Sequence, residues 1–144
     1  MVQQSKHKII IPGRPQAHRA NDRGKLHAAE EYLQALRRVA GALGNPRHPS
    51  GSIAIHIDLY YAVKDENDAL DPAQWHRASV PRGDTAAQLV LTGLAGRLIA
   101  HAGQANPLTV QRHISTARAC QARFGNPHGA TIITWQDPEE EEQI

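Results

Sequence analysis

The fold is decided by residues 53–61, which read IAIHIDLYY. Large apolar residues occupy every second position of this stretch, and the others are mostly smaller or polar. The apolar set is Ile53, Ile55, Ile57, Leu59 and Tyr61. A period of two with β-branched residues is typical of a strand that buries one of its faces. We therefore predict a strand here, with the core of the protein on one side of it.

Other segments around this strand have recognisable patterns. Residues 6–11 form a β-branched run that stops at Pro12-Gly13-Arg14-Pro15, and residues 130–135 read as a closing strand. Residues 28–43 and 85–100 have the apolar spacing of amphipathic helices, the second ending near Gly96. Residues 110–119 alternate only loosely. The sequence predicts a single small α/β (α+β) domain over residues 1–136, with a mixed sheet and two main helices.

The charge of the chain is unevenly distributed. The formal net charge is +2, but five of the fourteen acids lie in the last eight residues. Between Asp71 and Asp137 there is a single carboxylate, Asp84, against six arginines. A basic body suggests a surface that binds a polyanion, and nucleic acid is the first candidate. Residues 137–144 are expected to be an acidic, disordered tail, because they cannot bury enough apolar surface to become ordered.

Composition also excludes some classes of protein. Cys120 is the single cysteine, so neither an intrachain disulfide nor a Cys-rich zinc site is available. The first residues lack the apolar run of a signal peptide, and no segment approaches the ~18 to 20 apolar residues of a membrane span. We expect a soluble cytoplasmic protein with no membrane partner.

Two further motifs carry a resemblance. The turn Gly13-Arg14-Pro15 is followed by basic residues, and residues 124–133 read FGNPHGATII. With the order of the segments over about residues 6–136, these motifs resemble the RusA-type Holliday junction resolvases. That family consists of small homodimeric nucleases of phage and bacterial origin, which cut four-way DNA junctions with magnesium. The resemblance implies a homodimer, a DNA partner, Mg²⁺ as cofactor and a place in DNA recombination and repair.

The family's acidic centre is where this chain departs from the pattern. That centre reads Pro-Asp-x-Asp-Asn-Leu-x-Lys, then Asp-Ala-Leu-x-Gly, then Asp-Asp-x-Gln, and residues 81–104 follow it without a gap. Asp84 is kept, whereas the other chemically important positions carry Arg82, Gln88, Thr92, His101 and Ala102. Mg²⁺ takes oxygen ligands, and two-metal cleavage places two ions ~3.5 to 4 Å apart. Since one carboxylate cannot hold both ions, we predict weak or absent Mg²⁺ binding and a lost or weakened nuclease activity.

Candidate site residues fall into three groups. Asp84 is the remnant catalytic and metal residue, with a helix N-cap as the alternative, and His101 is the candidate second ligand for a softer metal. Phe124 and Trp75 are candidates for stacking on bases, with core or loop packing as the alternative. The residues predicted to bind DNA through phosphate contacts are Arg14, His18, Arg19, Arg23, Lys25, Arg82 and Arg118.

Three functions stay open at this point. The leading hypothesis is a RusA-like protein that binds branched or duplex DNA and has a degenerate active site. The second is an active metal-dependent endonuclease that rebuilds its ligands from Asp84, His101, Asp68 or Asp71. The third is a protein-interaction factor of phage or mobile-element origin that reuses the scaffold to bind a host protein.

Overall fold

The computed structural model describes residues 6–16, 23–42, 50–63 and 83–136. Within these ranges there are four strands: β1 (Lys6–Pro12), β2 (Ile53–Val63), β3 (Ala105–Thr116) and β4 (Gly129–Gln136). There are three helices, α1 (Arg23–Gly41), α2 (Gly83–Leu94) and α3 (Ala117–Phe124), and a short 3₁₀ helix at Ala102–Gln104. The described residues form a small mixed α+β domain, as the sequence predicted. The connection at residues 64–82 and the acidic tail lie outside them.

The four strands form one mixed sheet in the order β1-β4-β2-β3. β4 is antiparallel to both β1 and β2, whereas β3 is parallel to β2. It follows that β1, β2 and β3 run in one direction and β4 runs in the other. β1, β2 and β3 finish at the same end of the sheet, where β4 begins. We call this end the carboxyl end.

The two faces of the sheet differ in what covers them. Along β2 the residues from Ile53 to Val63 alternate between buried and partly or fully exposed, which confirms the predicted strand and extends it by two residues. The buried set packs against α1 and α2, whose core residues include Leu36, Ala40, Val90 and Leu94. We call this the helix-covered face. The other face carries Ala54, His56, Asp58, Tyr60 and Ala62.

Both predicted helices are confirmed, with shifted ends. α1 begins earlier than the predicted residue 28, and α2 ends at Leu94 rather than near Gly96. α2 stops because residues 95–99 form a tight turn, in which Gly96 adopts a φ of +81° and its N–H donates to the carbonyl of Ile99. A positive φ is readily available only to glycine. No helix in the described ranges is long and apolar enough to cross a membrane.

The third helix, α3, was not predicted. Thr116 caps its first turn, with the Thr116 hydroxyl accepting from the Ala119 N–H at 3.1 Å, and Gly125 ends it with a φ of 71°. Cys120 is the buried residue of this eight-residue helix. One buried position gives no apolar stripe, so the sequence carried no helical periodicity to detect. α3 connects the end of β3 to the start of β4 and therefore lies at the carboxyl end of the sheet.

Gly129 fixes how closely the start of β4 approaches β2. A Cβ atom at this position would lie 2.0 Å from the carbonyl oxygen of Tyr60, and Gly129 has a φ of +128°. Both observations require glycine. The Gly13 N–H donates to the Gly129 carbonyl at 3.0 Å, which ties the end of β1 to the same point. The carboxyl end of the sheet is thus a closely packed junction of β1, β2 and β4.

Candidate nucleic-acid interface

Basic residues that are distant in sequence meet at the carboxyl end of the sheet. Arg14 lies two residues after β1, His128 lies directly before β4, and Arg118 and Arg123 belong to α3. The strand directions bring these segments to one end, since β1, β2 and β3 all finish there. Arg118, Arg123 and His128 are exposed. The arrangement makes this end a cationic surface.

Arg14 is held against the end of β2 on the helix-covered face. Its guanidinium carbon lies 5.2 Å from the centroid of the Tyr61 ring, and its Nη1 donates to the Ala62 carbonyl at 3.4 Å. Burial lowers the pKa of Arg14, and the neighbouring Tyr61 acts in the opposite direction. A guanidinium nevertheless stays protonated in proteins. Arg14 is therefore a positioned cation on a packed strand end.

A groove opens beside Arg14 on the same side of the molecule. It has a volume of about 300 Å³ and a mixed polar and apolar lining. The residues that line it with polar side chains are Arg14, Gln16, Glu31, Tyr32 and His128. The guanidinium of Arg14 and the imidazole of His128 thus share this groove with the Glu31 carboxylate. Arg14 and His128 offer hydrogen-bond donors to a ligand here, whereas the Glu31 carboxylate opposes negative charge in the groove.

A second arginine packs on the opposite face of the same strand end. The guanidinium carbon of Arg123 lies 4.7 Å from the ring centroid of Tyr60 and 5.1 Å from that of Phe124. The Phe124 ring is tilted against Tyr60 at a centroid distance of 4.8 Å. Because Tyr60 and Tyr61 are consecutive in a strand, their side chains point to opposite faces. Arg14 and Arg123 therefore flank the end of β2 from both faces.

Asp58 links two histidines on the face of the sheet that carries Tyr60. Its Oδ1 accepts from the Nε2–H of His56 at 3.0 Å and from the Nε2–H of His113 at 2.8 Å. The Nδ1 of His56 is 2.5 Å from the hydroxyl of Thr109. Sequence reasoning missed this cluster, although His56, Asp58 and Tyr60 occupy alternate positions of β2. That spacing on the less apolar face of the strand was the available signal.

The predicted catalytic centre is described only in part. Asp84 is the second residue of α2, which begins at Gly83. The side chain of Asp84 lies outside the described part of the structure. Arg82 also lies outside. His101 is exposed and lies seven residues after the end of α2. Asp84 lies ten residues before that end, which corresponds to about 15 Å along the helix axis. The pairing of Asp84 with His101 at a metal stays a prediction.

The described residues that align with the acidic motifs of the resembled family do not fit two Mg²⁺ ions. Thr92 is exposed, and its hydroxyl donates to the Gln88 carbonyl at 2.9 Å within α2. His101 offers an imidazole, whereas Mg²⁺ prefers oxygen ligands such as carboxylates. In the described ranges, no three His, Cys, Asp or Glu side chains are grouped so that they could hold a metal ion.

Gln104 matches the glutamine in the last acidic motif of the resembled family, and its role here is structural. Its Oε1 accepts from the N–H groups of Ala100 and His101, at 2.6 and 3.1 Å. Its Nε2 donates to the Gly51 carbonyl at 3.0 Å. Gln104 is buried and fixes the segment after α2 to the residues just before β2.

The remaining predicted DNA-binding residues are placed as follows. Arg118 is exposed in the first turn of α3, and Arg23 and Lys25 belong to the first turn of α1. His18 and Arg19 lie outside the described residues, as do Trp75, Asp68 and Asp71. No protein-family model matches the chain, and a search of the curated proteins found no match.

Proposed function

We propose that the protein binds DNA through the carboxyl end of its sheet, as a RusA-like protein of branched or duplex DNA whose nuclease activity is lost or weakened. The observation that carries this proposal is the convergence of Arg14, Arg118, Arg123 and His128 on one end of the sheet. Phosphate contacts of this kind supply most of the affinity of proteins for DNA without regard to its sequence.

The charge of the surrounding chain supports the same proposal. Residues 83–136 contain four arginines and a single carboxylate, Asp84. Arginine binds phosphate with two parallel hydrogen bonds, and nearby carboxylates would oppose the approach of a DNA backbone. A stretch of sequence poor in acids and rich in arginine therefore favours DNA over an acidic metal centre, and the Glu31 and Asp58 carboxylates near this end come from other segments. The homodimer and the family membership are part of the proposal and follow from the resemblance.

DNA binding is tested by fluorescence anisotropy with a four-way junction and a duplex of equal length. We expect binding at low salt, and we expect the logarithm of the affinity to fall linearly with the logarithm of the salt concentration. The slope is about −0.9 for each neutralised phosphate. A protein that binds neither DNA at low salt would contradict the proposal and would favour a protein-interaction role.

The loss of nuclease activity is tested separately. We expect no cleavage of either substrate above the background seen with EDTA, in Mg²⁺ or in Mn²⁺, because the described donors at the family's metal-binding positions do not fit two hard cations. Asp84→Asn is the matched variant, since it removes the one retained carboxylate. Cleavage by the wild type that disappears in Asp84→Asn would show an active endonuclease and would refute this part of the proposal.

A further inference from the structure

A stack of side chains crosses the carboxyl end of the sheet on the face opposite α1 and α2. The rings of Tyr60 and His113 are nearly parallel, with an interplanar angle of 11° and a centroid distance of 4.3 Å. Phe124 and the guanidinium of Arg123 pack against Tyr60 as described above. The stack is made of groups that bind nucleobases by their flat faces in other proteins, namely aromatic rings and a guanidinium.

The stack reaches the edge of the sheet. Tyr60 and His113 are direct partners in the β2–β3 register, and β3 is the outermost strand of the described sheet. Tyr60 covers the inner face of the His113 ring, and no described strand lies beyond the outer face. The His113 side chain keeps 28% of its accessible surface. A flat group could therefore extend the stack by one member at this edge.

The orientation of the His113 ring is fixed before any ligand arrives. Its Nε2–H donates to Asp58, which also accepts from His56, and Tyr60 supports one of its faces. A group that is held in its bound orientation loses little conformational freedom on binding. The Asp58 carboxylate is engaged by two imidazoles, and the exposed Arg118 and Arg123 supply positive charge for the phosphates that accompany a base.

We propose that the outer face of the His113 ring is a stacking platform for one unpaired nucleobase, so that the protein binds single-stranded or branch-point nucleotides in preference to continuous duplex. This inference rests on the proposed DNA-binding function and adds the form of DNA that is recognised. A base inside a duplex is stacked on both faces and cannot reach the ring, whereas every unpaired base has a free face of its own.

The test compares two variants of one residue. His113→Gln removes the ring, and His113→Phe keeps a ring while giving up the hydrogen bond to Asp58. We measure the affinity of each for a single-stranded oligonucleotide and for a duplex of the same length, after circular dichroism has shown that the variants are folded. We expect about a tenfold loss of single-strand affinity in His113→Gln, less than a twofold change for the duplex, and a smaller single-strand loss in His113→Phe, which keeps the ring but not the hydrogen bond that fixes it.

A second measurement needs no variant. A single-stranded oligonucleotide that carries 2-aminopurine should lose fluorescence when the wild-type protein binds, because stacking on a ring quenches this base. If the wild type binds DNA with the expected salt dependence but shows neither quenching nor any loss in His113→Gln, the stacking platform is refuted and the DNA-binding function stands. If no DNA binds at low salt, both proposals fail.

Discussion

Two buried tyrosines on the helix-covered side of the protein differ in how their hydroxyl groups are satisfied. The Tyr32 hydroxyl shares a hydrogen bond with that of Thr131, which joins α1 to β4. The Tyr61 hydroxyl is buried and finds no hydrogen-bond partner among the described residues. Removing one partner of a buried hydrogen bond is costly, whereas removing an unpaired buried hydroxyl is not.

We therefore expect opposite behaviour from two matched substitutions. Tyr32→Phe should lower the free energy of unfolding by about 1 to 2 kcal/mol, because it leaves the buried Thr131 hydroxyl without its partner. Tyr61→Phe should leave the free energy of unfolding unchanged or raise it slightly, since the ring that supports Arg14 is kept. Urea unfolding followed by circular dichroism measures both. A larger loss in Tyr61→Phe than in Tyr32→Phe would mean that the Tyr61 hydroxyl has a partner.

At the scale of the candidate site, the sequence identified some residues and missed their arrangement. Arg14 and Arg118 were predicted from charge, and both have described positions at the carboxyl end of the sheet. The contribution of Asp58 and of the His113 stack was not predicted. It depends on which strands are neighbours, and β2 pairs with β3 and β4 across about 50 to 80 residues of sequence. Local patterns carry no information about such pairings.

Among the secondary-structure elements, the predictable ones are those with a repeated apolar position. β2 shows a period of two over its whole length, and α1 shows a helical stripe that includes Tyr32, Leu36 and Ala40. α3 has one buried residue, Cys120, and β3 is an edge strand without a clearly alternating burial pattern. The conformation of these two elements depends mainly on contacts with neighbouring elements, so their own sequences predict them poorly.

The contact between α1 and α2 depends on Gly93, a glycine inside α2. A Cβ atom at Gly93 would lie 2.9 Å from the Cβ of Leu36, which is closer than two carbon atoms can pack. Gly93 therefore allows the two helices to approach each other. This close approach explains a glycine in a position where alanine would favour the helix by ~1 kcal/mol.

A pair of glycine substitutions tests that contact. Gly93→Ala should destabilise the protein by about 1 to 3 kcal/mol despite the better helix former, because the helices must move apart. Gly41→Ala, at the last residue of α1, meets nothing within 4 Å and should be neutral or mildly stabilising. Thermal unfolding of both variants measures the difference. An equal gain in the two melting temperatures would show that α1 and α2 are not in close contact at Gly93.

For the molecule as a whole, the buried tyrosines predict how stability depends on alkaline pH. Burial raises the pKa of both Tyr32 and Tyr61 well above the usual value of 10.0. This effect outweighs the hydrogen bond from Thr131, which lowers the pKa of Tyr32, and the nearby arginines, which lower the pKa of Tyr61. Below that usual value both phenols are neutral in the folded and the unfolded chain, so they add no pH dependence. As the pH rises above it, the unfolded chain loses protons first.

The free energy of unfolding should therefore fall as the pH is raised above about 10, up to the higher pKa values of the folded protein. Urea unfolding at pH 8, 9, 10 and 11 measures the slope, and Tyr32→Phe should make it shallower. A stability that stays constant over this range would contradict the burial of these phenols.

The proposed function depends on where the positive charges lie in the whole molecule, not on how many there are. The variant Arg118→Gln/Arg123→Gln removes two charges from the carboxyl end of the sheet. The variant Arg37→Gln/Arg38→Gln removes two exposed charges from the last turns of α1. This part of α1 is not one of the segments that meet at the carboxyl end of the sheet. Both variants have the same net charge, so a nonspecific charge effect would be equal in the two.

The most direct measurement is the salt dependence of DNA binding by these two variants and the wild type, with a four-way junction as ligand. We predict that Arg118→Gln/Arg123→Gln reduces the slope of the logarithm of affinity against the logarithm of salt by about 0.9 for each lost phosphate contact. Arg37→Gln/Arg38→Gln should keep the wild-type slope. Equal slopes in both variants, or no binding by the wild type at low salt, would contradict DNA binding through the carboxyl end of the sheet.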